Sequence, residues 1–153
     1  MTVARRVAQP VAVTAPARIL VVCTGNSCRS IIAEALFRSM AGDRVAVQSA
    51  GIEPSVVNPL TERVLDEAGI DHSWARSKSV REFLGQEFDH VITVCDDANE
   101  VCPTFPGPAR RTHWSIPDPA RSTGTVEDRL PVYRATLADL RARIAGFLDT
   151  LDG

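Results

Sequence analysis

Cys23 and Arg29 are separated by five residues, Thr24-Gly25-Asn26-Ser27-Cys28, and Ser30 follows at once. A loop of that length can curl back, so that its backbone N–H groups and the Arg29 guanidinium converge on one tetrahedral oxyanion beside the Cys23 sulfur. A helix beginning near Ser30 would add the partial positive charge of its N-terminus at the same spot. Helix N-termini and neighbouring arginines favour the thiolate form of a cysteine. The segment therefore reads as an anion site and a nucleophile together, with Thr24, Gly25, Asn26, Ser27, Cys28, Arg29 and Ser30 as candidate oxyanion ligands. Ser30 is placed to donate a hydrogen bond to the thiolate or to cap the helix. Cys28 is expected to turn its side chain away from the anion. A nucleotide P-loop is excluded, because no second glycine is followed by Lys and Ser or Thr.

Attack by Cys23 must expel an oxygen leaving group, and a carboxylic acid placed opposite can protonate it. Asp118, between Pro117 and Pro119, is the candidate acid. Cys95 and Cys102 leave two readings open. They are small core fillers, or they form a relay in which Cys95 attacks the Cys23 adduct and Cys102 attacks the resulting disulfide by ordinary thiol exchange.

These residues need elements to position them. Ile19-Leu20-Val21-Val22 running into Cys23 reads as a buried strand, and Ile31, Ala35 and Phe37-Arg38 repeat at helical spacing. Residues Val45 to Ser49 read as a second strand, closed by Ala50-Gly51. Asn58-Pro59 opens a helix whose inner stripe is Leu60, Val64, Leu65 and Ala68, stopped by Gly69. A short helix is expected around Ser79 to Leu84, a third strand over His90 to Val94, and a fourth over Arg111 to Ser115. The segment from Asp96 to Val101 is polar, helical or looping. The last helix carries Leu137, Leu140, Ile144, Leu148 and Leu151 and starts near Thr125 or Pro131. Strands alternating with helices predict one α/β domain: a four-stranded parallel sheet with helices on both faces. Ligands of such sheets bind at the carboxyl ends of the strands, where Cys23, Cys95 and Asp118 all fall.

The chain has 153 residues, 44% hydrophobic and 24% charged, enough for one full-sized core. A net charge of -2 and 5% aromatics argue against a nucleic-acid surface. No apolar run approaches the ~20 residues of a membrane span. Residues 1–17, with Arg5-Arg6 and then Gln9, Pro10 and Thr14 interrupting any apolar run, read as a flexible tail rather than a secretory signal. The domain is expected over residues 18–153, in the cytoplasm. The four cysteines have spacings unlike those of zinc sites, and a chain of this size does not need disulfide staples.

The chain resembles the thioredoxin-coupled arsenate reductases, which share the fold of low-molecular-weight protein tyrosine phosphatases. The resemblance rests on the Cys23 to Ser30 loop, Ala33-Glu34, Ser49-Ala50-Gly51-Ile52-Glu53, Asn58-Pro59, Gly69-Ile70-Asp71, the pair Cys95 and Cys102-Pro103, and His113-Trp114 ahead of Asp118-Pro119-Ala120. It implies that Cys23 attacks arsenate, Asp118 protonates the departing hydroxide, Cys95 releases arsenite, and Cys102 captures Cys95 in a disulfide that thioredoxin reduces. No metal or organic cofactor is implied, and phosphate or sulfate would compete as oxyanions. Phosphatase relatives typically carry Tyr where this chain has Ala120, and they lack the Cys95–Cys102 pair. A phosphotyrosine phosphatase using Cys23 and Asp118 is the alternative enzyme, and a non-catalytic oxyanion sensor the third reading. Ile31-Ile32 replaces the common Gln-Met, a change expected to face outward. Some relatives bind potassium through Asn, Glu, Ser and Asp. Asn26, Glu34 and Ser49 match the first three, and Lys78 stands at the fourth, so an ammonium paired with Glu34 is expected in place of the cation.

Overall fold

Five consecutive residues, Ile19 to Cys23, are buried, as in a strand covered on both faces. The computed structural model describes residues 15–95 and 102–152. In it, β1 (Ala17–Cys23) is an inner strand of a four-stranded parallel sheet with β2 (Val45–Gly51), β3 (His90–Thr93) and β4 (Arg110–His113), in the order β2-β1-β3-β4. The register sets Cys23 opposite Gly51, Val22 opposite Thr93, and Thr93 opposite His113. The carboxyl ends of the strands are therefore level, and the segments that leave them meet on one edge.

Helix α1 (Arg29–Ala41) packs on β1 and β2 and also against α2 (Pro59–Glu67) and α3 (Val126–Asp152). Its residues Ile31, Ile32, Ala33, Ala35, Leu36 and Phe37 are all fully buried. The outward orientation expected of Ile31 and Ile32 is thus wrong. A helix enclosed by a sheet and two other helices has no solvent face near its start, and is apolar nearly all round. Burying each such large side chain contributes about 1.5–3 kcal/mol.

Asn58 caps α2 by accepting the Leu60 N–H at 2.9 Å, with Pro59 as the first helical residue. The inner stripe is Leu60, Thr61, Val64 and Leu65. Ala68 is exposed instead of inside, because it is the C-cap and lies past the last packed turn. Thr125 and Asp128 cap α3 reciprocally, each side chain accepting the other's backbone N–H at 3.2 and 3.0 Å. That cap, and not Pro131, sets where the helix starts. Near its far end, Phe147 stacks edge-on against Phe37, His90 and Trp114, tying α3 to α1, β3 and the segment after β4.

Some boundaries differ from expectation. Ala17 belongs to β1, paired with Val45, and not to a tail; residues 1–14 lie outside the described residues. Strand β2 continues through Ala50 and Gly51, while β3 stops at Thr93 and β4 runs from Arg110 to His113, not to Ser115. The short helix is a single 3-10 turn, Val80–Phe83, capped by Ser79. The stretch from Asp96 to Val101 lies outside the described residues. No helix among the described residues is long and apolar enough to cross a membrane.

Candidate oxyanion site at the strand ends

The loop after β1 is held open from outside. Its carbonyls at Cys23, Thr24, Gly25 and Ser27 accept N–H groups from Ile52, Glu53, Ser55 and Asn58 at 2.8–3.2 Å. Ser77 Oγ donates to Gly25 O at 2.9 Å, and Thr61 Oγ1 to Ser27 O at 3.0 Å. With the carbonyls engaged outward, the loop's N–H donors remain for its concave side, which is how a backbone nest binds an anion. Helix α1 then starts with no side-chain cap and no acidic residue in its first turn. Its unpaired N–H groups and dipole face the same place.

Cys23 is 2% exposed. Its Sγ lies 2.9 Å from Ser30 Oγ and receives the Asn26 N–H at 3.2 Å. Two donors aimed at one sulfur stabilise negative charge on it. Asn26 has φ +48°, in the left-handed region that Asn tolerates better than most residues. Its side chain repays that conformation. Nδ2 donates to Ser30 Oγ at 2.8 Å and to Ser49 Oγ at 3.0 Å, and Oδ1 accepts the Lys78 N–H at 2.8 Å. Ser49 donates onward to Glu34 Oε1 at 2.6 Å, and Arg38 grips Glu34 Oε2 at 2.6 and 2.9 Å. Lys78 Nζ lies 3.8 Å from Glu34 Oε1, both side chains being buried. Burial draws the Lys78 ammonium below its ordinary value, against the pull of Glu34 that raises it.

Gly51 closes the cradle. A Cβ there would stand 2.7 Å from Thr24 O and 2.9 Å from Asn26 N, so any other residue displaces the loop.

Arg29, on the first turn of α1, donates through Nη1 to Ile116 O at 3.1 Å and pairs through Nη2 with Asp118 Oδ2 at 3.5 Å. Its Nε is buried with no partner among the described residues. An orphaned guanidinium N–H is costly unless a ligand takes it, and a tetrahedral oxyanion fits that need. Asp118 caps a 3-10 turn, Pro119–Arg121, by accepting the Ala120 N–H at 2.9 Å. Its other oxygen faces Arg29. A cleft of about 400 Å³ opens between Thr24, Arg29, Cys95, Ile116, Asp118 and Arg121.

The fold thus brings Cys23, Arg29, Ser30, Cys95 and Asp118 to one edge. Cys95 Sγ lies 3.1 Å from Thr24 Oγ1. Cys102 is half-buried near Arg111 of β4; burial pushes its thiol up, partly offset by that guanidinium. Cys28 turns its buried Sγ toward Tyr133 Oη, 3.8 Å away, which leaves only its backbone to face the loop's concave side. Burial likewise raises its thiol. All four cysteines are free thiols. Sequence reasoning missed Thr61, Ser77, Arg38 and Tyr133. Thr61 lay one residue beyond Leu60 on an apolar stripe, and the others gave no local signal.

Fold and site together define a parallel α/β protein with a buried cysteine at a strand–loop–helix turn whose geometry suits an oxyanion. The chain belongs to the low molecular weight phosphotyrosine protein phosphatase family, whose pattern matches residues 18–153. An arsenate reductase of Halalkalibacterium halodurans is 41% identical over 132 residues, covering 86% of this chain and 95% of that protein. The solved arsenate reductase of Archaeoglobus fulgidus superposes with a TM-score of 0.70 at 31% identity, over 86% of this chain and 98% of that one. A thioredoxin-dependent arsenate reductase of Corynebacterium glutamicum superposes at 0.59 and 30% identity, over 87% and 64%.

Proposed function

We propose that the protein is an arsenate reductase in which Cys23, Cys95 and Cys102 act in succession. The observation that carries this reading is Cys95, hydrogen-bonded to Thr24 and lining the same cleft as Arg29 and Asp118. A phosphate-monoester hydrolase has no use for a second thiol there. The relatives that are arsenate reductases support the same choice.

Arsenate enters the loop as a phosphate-like oxyanion, its charge met by loop N–H groups and by Arg29 Nε. The Cys23 thiolate, stabilised by Ser30 and the Asn26 N–H, attacks arsenic. Asp118 gives its proton to the departing oxygen, which leaves as water. Cys95, as thiolate, attacks Cys23 Sγ; the S–S bond forms as the S–As bond breaks, and its electron pair leaves with arsenic, now arsenite. The Cys102 thiolate attacks Cys95 Sγ and expels the Cys23 thiolate. A dithiol of the thioredoxin type reduces the Cys95–Cys102 disulfide, so the thiols supply both electrons. The pairing of Lys78 with Glu34 places a fixed ammonium beside the loop's supports, so no potassium ion is needed there.

NADPH consumption with thioredoxin, thioredoxin reductase and arsenate tests the reading. Sustained turnover is expected from the wild type, and at most one arsenite per protein from Cys102→Ser. Continued turnover by Cys102→Ser sinks the relay. Hydrolysis of aryl phosphates without arsenate reduction would instead favour the phosphatase alternative.

A further inference from the structure

Tyr133 is a residue the chemistry above does not use. It projects from α3, is fully buried, and its hydroxyl lies between two features of the site. On one side is Cys28 Sγ at 3.8 Å, on the back of the oxyanion loop. On the other, Arg129 Nη2 donates to Tyr133 Oη at 3.5 Å. Arg129 Nε in turn donates to Ser122 Oγ at 3.3 Å. Ser122 binds Pro119 O through both its hydroxyl, at 2.5 Å, and its N–H, at 3.1 Å. Pro119 is the first residue of the turn that Asp118 caps.

We propose that Tyr133 and Arg129 are positioning residues: a tie from α3 that holds the turn carrying Asp118 in register with the loop carrying Cys23. The proposal rests on the reading of Asp118 as the proton donor. The physical case is one of missing alternatives. Among the described residues, the Asp118 carboxylate has its own cap and a 3.5 Å pair with Arg29, and in the proposed function Arg29 must also serve the anion. A single 3-10 turn whose Ala120 and Arg121 are exposed opens more readily than the core. An acid displaced by about 1 Å loses much of its effect. The tie supplies a further point of attachment, on α3, through residues that do not line the cleft. At the loop end, Tyr133 and Cys28 both stay neutral in the working range. Burial, reinforced by Cys28, pushes Tyr133 up to about 12, and burial raises Cys28.

A double-mutant cycle separates positioning from general support. Tyr133→Phe is expected to lower kcat for arsenate about tenfold with KM nearly unchanged, yet to cost less than about twofold in an Asp118→Asn background. Arg129→Met should behave alike, and Arg129→Lys should recover part of the loss. Equal losses in both backgrounds would overturn the proposal, since a merely structural residue acts whether or not the acid is present. A second readout needs no turnover. Amide hydrogen exchange at Ala120, whose N–H caps onto Asp118, should quicken about tenfold in Tyr133→Phe while core amides such as Leu140 stay unchanged. Unchanged Ala120 exchange would also overturn it. If the wild type does not reduce arsenate, the functional reading fails, and the exchange experiment still decides the tie.

Discussion

The loop from Cys23 to Ser30 is cross-bonded to three separate stretches of chain, around Ile52–Asn58, at Thr61 and at Ser77, and Asn26, Arg29, Ser30, Glu34 and Ser49 are all buried around it. The wall facing it is built the other way. Asp118 is partly exposed on a 3-10 turn, Cys95 is bonded to Thr24, and Cys102 is half-buried beside Arg111. The difference matches the tasks that the proposed mechanism gives each side. An anion cradle works by preorganised dipoles that need not move when charge arrives. A relay works by successive contacts between sulfurs, so its members cannot all be locked in one geometry. In the proposed relay, Cys23 alone belongs to the rigid cradle, and Cys95 lines the cleft beside Thr24.

Substitutions can test that division. Cys23→Ser, on the rigid side, should lower arsenate turnover by more than about 10⁴-fold, read by NADPH oxidation, while leaving the fold intact by circular dichroism. Asp118→Asn should lower kcat by about 10²–10⁴-fold without weakening phosphate inhibition, because in the proposed mechanism the acid assists the leaving group. If phosphate affinity fell in parallel, the two walls would not be separable.

The relay side should carry its own pH signature. Because burial raises the Cys102 thiol, that group is mostly protonated near neutrality. The thiolate fraction therefore rises with pH, and transfer of the disulfide from Cys23–Cys95 to Cys95–Cys102 should quicken by up to about tenfold per pH unit between about 6.5 and 8.5. Rapid acid quenching and peptide mapping would follow it. A flat profile would mean that Cys102 is not the attacking group.

Gly51→Ala probes the cradle more gently. The added Cβ pushes on Thr24 O and Asn26 N, so about 1–3 kcal/mol of stability should be lost in urea unfolding, with weakened phosphate binding. The smallest effect concerns Lys78. Its folded-state value lies below the ordinary one, so the unfolded chain binds more protons between the two, and stability rises with pH through that alkaline window. Lys78→Met should remove that increment. Wild-type activity should be equal in potassium and matched sodium buffers, and a clear rise with potassium would show that Lys78 does not take the cation's place.

Much of this was legible before any coordinates. The continuous run Ile19 to Val22 announces a buried parallel strand, and Asn58-Pro59 with Leu60, Val64 and Leu65 announces α2, because local propensity and burial agree there. The cysteine–arginine spacing announces the anion loop, since a nest is made by consecutive residues. What failed was whatever depends on the partner packed against it. The outward orientation of Ile31 and Ile32 is inferred from the Gln-Met of relatives, and a substitution pattern cannot show how many helices surround α1. Ala68 was expected inside because a stripe continues on paper past the point where the helix stops.

The types and spacing of Cys23, Arg29, Asp118, Cys95 and Cys102 come from the sequence by itself, and with them the classes of chemistry worth considering. Only the tertiary structure decided that Gly51 must be glycine and that Tyr133 stands between the back of the loop and the acid's turn, and it sets the expected Lys78–Glu34 pair at 3.8 Å. These pairs are 27, 44 and 105 residues apart in the chain (Thr24 and Gly51, Glu34 and Lys78, Cys28 and Tyr133). Contacts at such separations are set by strand register and helix packing, which no local pattern encodes.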